Sequence, residues 1–193
     1  MPSESPDRNS RRAGRLPETR TKVGTPLRGH GHWILTVAFN RDGTVLASGG
    51  FDGTVRLWEL ARHGLLCSPL DGNDGSVNSV AFNPAGTLLA FGTVGSTVQW
   101  WDPTTGERIR SSPTGHRSSV NAVAFRPDGS LLASAGEDGT VLLWDPATGE
   151  QVCAPLRGHD DLVQAARTVT FSPDGTLLAT GGDDGVARLW ELG

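Results

Sequence analysis

The sequence predicts an all-β protein made of four copies of one small antiparallel module set side by side. Two observations carry that prediction. The chain repeats every 43 residues: Trp58, Trp101 and Trp144 keep the spacing, as do Val37-Ala38-Phe39, Val80-Ala81-Phe82 and Val123-Ala124-Phe125. Short apolar runs alternate with Asp42-Gly43, Asp52-Gly53, Asp128-Gly129 and Asp138-Gly139, dipeptides that supply φ > 0 in hairpins. A period in this range belongs to modules that bury their faces only against their neighbours.

The stretch Gly115–Asp145 shows one module in full. Val120, Ala122 to Phe125 and Leu131 to Ala133 are apolar, mostly β-favouring runs of strand length, and the two Asp-Gly turns join them into a meander. After the turn Pro146–Gly149, Gln151 to Leu156 forms a fourth, outer strand. The copies span about 29–71, 72–114, 115–157 and 158–193. The second departs most, with Asn73 for His, Phe91 for Ser or Thr, and Gly95 for Asp. The fourth opens at Gly158-His159 but reaches Trp190 three residues late, so its extra residues fall within Asp160–Thr168.

A Gly-His opening, a turn such as Pro127-Asp128-Gly129, a strand such as Leu46-Ala47-Ser48-Gly49 and a close such as Leu143-Trp144-Asp145 recur together. In this combination the copies resemble blades of the WD-repeat (WD40) β-propeller family, from about Thr21 to the end of the chain. The resemblance implies four four-stranded antiparallel blades around an axis. It also implies that the N-terminal strand completes the C-terminal blade. TKVGTPLRGH aligns with EQVCAPLRGH of the third copy, and the fourth copy ends after its third strand. Such a latch would cover an edge that otherwise templates aggregation. Three assemblies remain open: four blades closing alone, two chains joined head to tail into eight, or blades of a longer array.

Composition narrows the function. Twenty-six glycines suit a turn-rich β-repeat. Residues 1–20 carry five arginines against three acids, +2, so with −4 on the whole chain the repeats carry −6. An acidic body is a poor match to a polyphosphate, so nucleic acid is not expected as a partner. Residues 1–20 are polar, without hydrophobic period, and are expected to be a disordered tail before a WD-repeat domain over 21–193. No apolar run approaches the ~20 residues of a membrane span, so a cytoplasmic protein away from membranes is expected. Cys67 and Cys153 sit at equivalent places in alternate copies, too far apart for a disulfide, and are expected to be partly buried on outer strands.

One polar set recurs three times: His30, Ser48, Asp52 and Trp58; His116, Ser134, Asp138 and Trp144; His159, Thr180, Asp184 and Trp190. Ser, His and Asp are also the parts of a hydrolytic triad. In the family these positions form a structural network in which Asp accepts from His, His meets the hydroxyl, and the indole N–H reaches the hydroxyl. A triad repeated three times, with its hydroxyl beside glycine on an inner strand, reads as architecture, and no catalytic residue is assigned. His30-Gly31-His32 lacks the further ligands of a metal site, and the Gly-rich runs lack a phosphate-loop ending, so no metal or cofactor is implied.

The resemblance places partners where the loop into the first strand and the turn before the third emerge. By alignment that face holds Trp33, Ser76 and Ser119 in the loops and Phe51, Val94, Glu137 and Asp183 before the turns. Trp33 and Phe51 form an exposed aromatic pair, and Glu137, Asp183, Asp160 and Asp161 an acidic sector that would favour a basic partner segment. The function implied is a non-catalytic scaffold for protein–protein interaction. The alternative is a regulatory or sensor module working with a kinase or NTPase supplied by a partner; a hydrolase is the third reading.

Overall fold

In every repeat the alternating apolar runs form a meander, because a tight turn, Asp-Gly in three repeats and Ala85-Gly86 and Gly95-Ser96 in the second, reverses the chain and lets the next run pair with the last. The computed structural model describes residues 24–72, 74–111, 115–159 and 165–192. The first blade holds β1 (Ile34–Phe39), β2 (Val45–Gly50), β3 (Thr54–Glu59), β4 (Gly64–Leu65) and β5 (Leu70–Asp71). The second holds β6 (Val77–Phe82), β7 (Leu89–Thr93), β8 (Val98–Asp102) and β9 (Glu107–Ser111). The third holds β10 (Val120–Phe125), β11 (Leu132–Gly136), β12 (Thr140–Trp144) and β13 (Leu156–Arg157), and the fourth β14 (Ala166–Phe171), β15 (Leu177–Gly182) and β16 (Ala187–Glu191). Pairing is antiparallel throughout and follows chain order, save that β4 and β5 both pair with β3. Among the described residues there is no helix long and apolar enough to cross a membrane.

The registers of the four blades superimpose. Val37 pairs with Ser48, Val80 with Phe91, Val123 with Ser134 and Val169 with Thr180, and a register shift recurs near the start of each first strand. The turns follow the sequence: Gly129 and Gly139, both at φ 77°, stand in the left-handed region. The second blade is the exception. There Ser96, at φ 70°, takes the turn position that glycine holds elsewhere, a conformation L side chains rarely adopt.

The outer strands are shorter than the sequence predicts. The stretch Gln151 to Leu156 resolves into an isolated bridge, Gln151 to Trp144, and the two-residue β13. Cys67 and Cys153 lie off the strands; Cys67 is half-buried against Gly106, whereas Cys153 is exposed, contrary to expectation. Both are free thiols.

Four blades enclose three apolar cores, one at each junction. Val55, Leu57 and Leu70 of the first blade meet Val77, Val80, Leu89, Phe91 and Trp101 of the second. Ala90, Val98 and Trp100 meet Val120, Val123, Leu132 and Trp144. Ala133, Ala135, Val141 and Leu143 meet Ala166, Val169, Phe171 and Leu178. The sheets therefore stack sideways, and the second and third blades each bury one face against the blade before and one against the blade after.

The expected latch is corrected here. Among the described residues the fourth sheet has three strands, and 24–29, which belong to the segment predicted to complete it, form no strand. Gly24 lies against the His63 ring and Gly29 against Arg56 and Trp58, contacts that repeat where Gly106 meets Cys67 and where Gly115 and Gly158 meet Trp144 and Trp190. Lys22, Val23 and residues 1–20 lie outside the described residues. The physical reason is visible in β13: the equivalent segment makes only two pairs in a blade that does have it, so few hydrogen bonds hold an outer strand at this place.

The junctions are packed too closely to slide. A Cβ on Gly92 would stand 2.5 Å from Val120 Cγ1, and one on Gly49 2.6 Å from Val77 Cγ1. Gly92→Ala is expected to lower stability by about 1–3 kcal/mol, by overpacking. In denaturant melts the double variant Gly92→Ala/Val120→Ala should lose less than the sum of the singles, because the smaller partner makes room. Strict additivity would mean that these faces do not touch.

Candidate functional site

The polar network begins with glycine. A Cβ on Gly50 would stand 2.7 Å from His30 Nδ1 and 2.7 Å from Asp52 Oδ1; at Gly136 and Gly182 the histidine ring is closer still. The imidazole thus occupies the volume that a side chain would need. Where the second blade has no histidine, Thr93 stands at this position and is fully buried.

In the first blade His30 Nδ1 lies 3.0 Å from Asp52, Nε2 lies 2.7 Å from Ser48 Oγ, and Trp58 Nε1–H donates to that oxygen at 2.8 Å. The third blade repeats this with His116, Asp138, Ser134 and Trp144 at 3.1, 2.7 and 2.8 Å. The fourth uses His159, Asp184, Thr180 and Trp190, each contact at 3.0 Å. One proton assignment satisfies every member: Nδ1–H donates to the carboxylate, the hydroxyl donates to Nε2, and the indole donates to the hydroxyl oxygen. Thr54 and Thr140 add hydroxyl donors to Asp52 and Asp138. In the fourth blade Val186 replaces that threonine, and the Arg188 guanidinium donates to Asp184 instead.

These hydroxyls are poor nucleophiles for an outside substrate. Ser48, Ser134 and Thr180 are 2%, 0% and 2% exposed, and each is engaged by both the ring and the indole. What the set can do is join the loop before the first strand, the second strand, the turn and the third strand of a blade. Each member left without a partner would cost about 1–3 kcal/mol.

The second blade carries a different solution, which the pattern of residues did not reveal. Asp74 accepts from Thr97 Oγ1 at 2.8 Å and from Gln99 Nε2 at 2.9 Å, and Gln99 also donates to the Gly72 carbonyl. Phe91 takes the place of the serine and stacks on Trp101, centroids 5.9 Å apart. The Trp101 indole N–H is left without a partner. Asp74 is two residues past the opening glycine rather than in the turn, so alignment to the other copies misses it. Asn73 lies outside the described residues.

Above the network, one backbone hydrogen bond recurs in all four blades and fixes the candidate binding face. Phe51 N–H donates to the Trp33 carbonyl, Val94 to Ser76, Glu137 to Ser119 and Asp183 to Ala165. The loop residue and the residue before the turn therefore stand side by side. In the first blade this brings Trp33 and Phe51 together, centroids 6.0 Å apart, with the His32 ring 5.0 Å from Trp33 and 4.7 Å from Phe51. Trp33 is 71% and Phe51 51% exposed. Sequence reasoning weighed His32 as a metal ligand and set that role aside; exposed beside Trp33 and Phe51, it is the third ring of this cluster.

Two expectations about the face change. Ser76 is buried, its hydroxyl donating across the junction to the Phe51 carbonyl at 3.4 Å, and half-buried Ser119 does the same to Val94 at 3.5 Å. Both fasten one blade to the next. The acidic sector is also weaker than expected: Asp183 is exposed but bound by Arg167 through two hydrogen bonds, at 2.8 and 2.7 Å. Glu137 accepts from Ser118 Oγ at 3.0 Å, while Val94 stays exposed and apolar. Asp160 and Asp161 lie outside the described residues. Arg167 follows the three-residue insertion, which hid its register. A cleft of about 460 Å³ opens at the far end of the blades between the turns at Asn40–Asp42 and Pro84–Gly86.

This side-by-side stack of four-stranded sheets, tied by a His–Ser/Thr–Asp–Trp network, defines a repeat protein of the propeller class. The chain matches the family described as "WD domain, G-beta repeat" over residues 20–59, 64–102, 107–145 and 150–191, and it belongs to that family. Among curated proteins it is similar to the small ribosomal subunit protein RACK1y of Oryza sativa subsp. japonica, 44% identical over 48 residues. It is also similar to the small ribosomal subunit proteins RACK1 of Medicago sativa and Glycine max, 46% identical over 43 residues. These matches cover 22–25% of this chain and 13–14% of the relatives' length. A match of that length is about one blade.

Two predictions arise from the network. Burial pushes the Asp52 carboxyl up, but the Gly31 N–H, the Thr54 hydroxyl and amide and His30 outweigh it and bring it down to about 2. The unfolded value is about 3.9, so this stabilisation is complete above that pH and is lost as pH falls through about 2. Asp138 and Asp184 are lowered in the same sense. Urea midpoints should fall over this window, and Asp52→Asn should flatten the dependence. Separately, Gly136→Ala should lower stability by about 1–3 kcal/mol by displacing His116, with indole fluorescence of Trp144 reporting the loss.

Proposed function

We propose that this protein is a non-catalytic cytoplasmic scaffold that captures a protein partner on the face carrying His32, Trp33 and Phe51. The observation that carries this reading is the exposed aromatic cluster, which is held in place by the Phe51 N–H to Trp33 carbonyl bond and so needs little ordering on binding. Large, rigid aromatic side chains are the residues on which binding energy concentrates. The buried, fully engaged hydroxyls beneath support a structural role for the network rather than acyl transfer. Membership in the WD-repeat family and similarity to relatives named as ribosomal subunit proteins support work within an assembly.

The partner segment we propose is apolar where it meets the aromatic cluster. Capture of a basic segment would draw on Glu137 more than on Asp183, which Arg167 occupies. The Trp33→Ala/Phe51→Ala variant, at unchanged oligomeric mass, should reduce partner recovery from native cells at least tenfold. Its melting temperature should stay close to that of the parent, because both rings are mostly exposed. Undiminished recovery, or a large fall in melting temperature, contradicts the proposal.

A further inference from the structure

The three junctions share one construction, and the chain carries both halves of a fourth. At each junction a residue on the second strand receives the first residue of the next blade: Gly49 receives Val77 and Gly92 receives Val120. At the third junction Ala135 and Ala166 lie in one core. Size is exchanged across the junction, glycine opposite valine and alanine opposite alanine. The equivalent second-strand residue of the last blade is Gly181, and the equivalent first residue of the first blade is Ile34. A Cβ on Gly181 would meet only the Thr168 methyl of its own blade, at 3.0 Å, and Ile34 is half exposed. A bare glycine and an uncovered isoleucine continue the same rule.

Polar contacts repeat in the same way. Thr36 Oγ1 accepts from Val80 N–H at 3.3 Å, and Ser79 Oγ accepts from Val123 N–H at 3.1 Å. In the fourth blade Thr168 stands at this position with its side chain exposed. The apolar contrast is large. Val80, Val123 and Val169 are 6–7% exposed whereas Val37 is 61%; Leu57, Trp100 and Leu143 are 0–5% exposed whereas Leu189 is 70%. Phe39 adds a further exposed ring to the first face.

We propose that these two faces dock between two copies of the chain, head to tail. Ile34 of one copy seats on Gly181 of the other, Val37 and Phe39 cover Leu189, and Thr168 Oγ1 accepts from the Val37 N–H. The occupant is a second copy because a chain's own first and last blades leave each other uncovered, with Val37 and Leu189 both exposed, while each face carries the residues that the junction rule sets opposite the other. Two equal joints related by a two-fold axis then close one ring of eight blades.

Light scattering on the full chain tests this. The expected particle has twice the 20.3 kDa chain mass over a dilution series. Val37→Glu and Leu189→Glu, both at exposed positions, should each halve that mass while the far-ultraviolet circular dichroism stays that of the parent. Mixing the two variants should restore a two-chain particle, since one keeps an intact tail and the other an intact head. A monomeric parent, a mass that climbs without limit with concentration, or a mixture that stays monomeric overturns the proposal.

Discussion

The structure depends on one constraint: a four-stranded sheet of this size has two apolar faces and cannot exclude water from either by itself. Among the described residues the three apolar cores lie between blades. Stability is therefore a property of neighbouring pairs, and the features that look decorative in the sequence serve the junctions. Glycine at 49 and 92 lets a valine from the next blade approach the backbone, and Ser76 and Ser119 pin one blade to the carbonyl of the blade before. The exposed faces at the two ends are the same constraint left unanswered within a single chain.

The polar network solves a different problem, the shape of each blade. It gathers groups from four separate stretches of a repeat, so it holds the loop leading in against the turn leading to the third strand. That position in turn fixes the backbone bond between residues 33 and 51 and their equivalents, and with it the face that carries Trp33, Phe51 and His32. The second blade reaches the same backbone bond through Asp74, Thr97 and Gln99. The shape of a blade can thus be kept by different chemistry, provided the set is changed as a whole.

Much of this was legible in the sequence, for physical reasons. Hairpin dipeptides and the 43-residue spacing report local geometry, and the recurrence of His, Ser or Thr, Asp and Trp reports a set that is useful only when complete. What could not be read was long-range or irregular. The burial of Ser76 depends on the neighbouring blade, and the Arg167–Asp183 pair sits behind an insertion that shifts the register. The pairing of residues 24–29 turns on the few hydrogen bonds that an outer strand makes, two pairs in β13. The role of Asp74 was hidden because it replaces a turn carboxylate from a different point in the chain.

The central claim is that a blade is stable only as far as its faces are covered. Site-resolved native-state hydrogen exchange on the Leu189→Glu variant, whose ends stay free, measures this most directly. The account predicts the slowest amides in β7 and β11, whose blades are covered on both sides, and faster exchange in β2 and β15 despite equivalent ladders. Equal protection in all four central strands would show that each sheet stands alone, and would contradict the account.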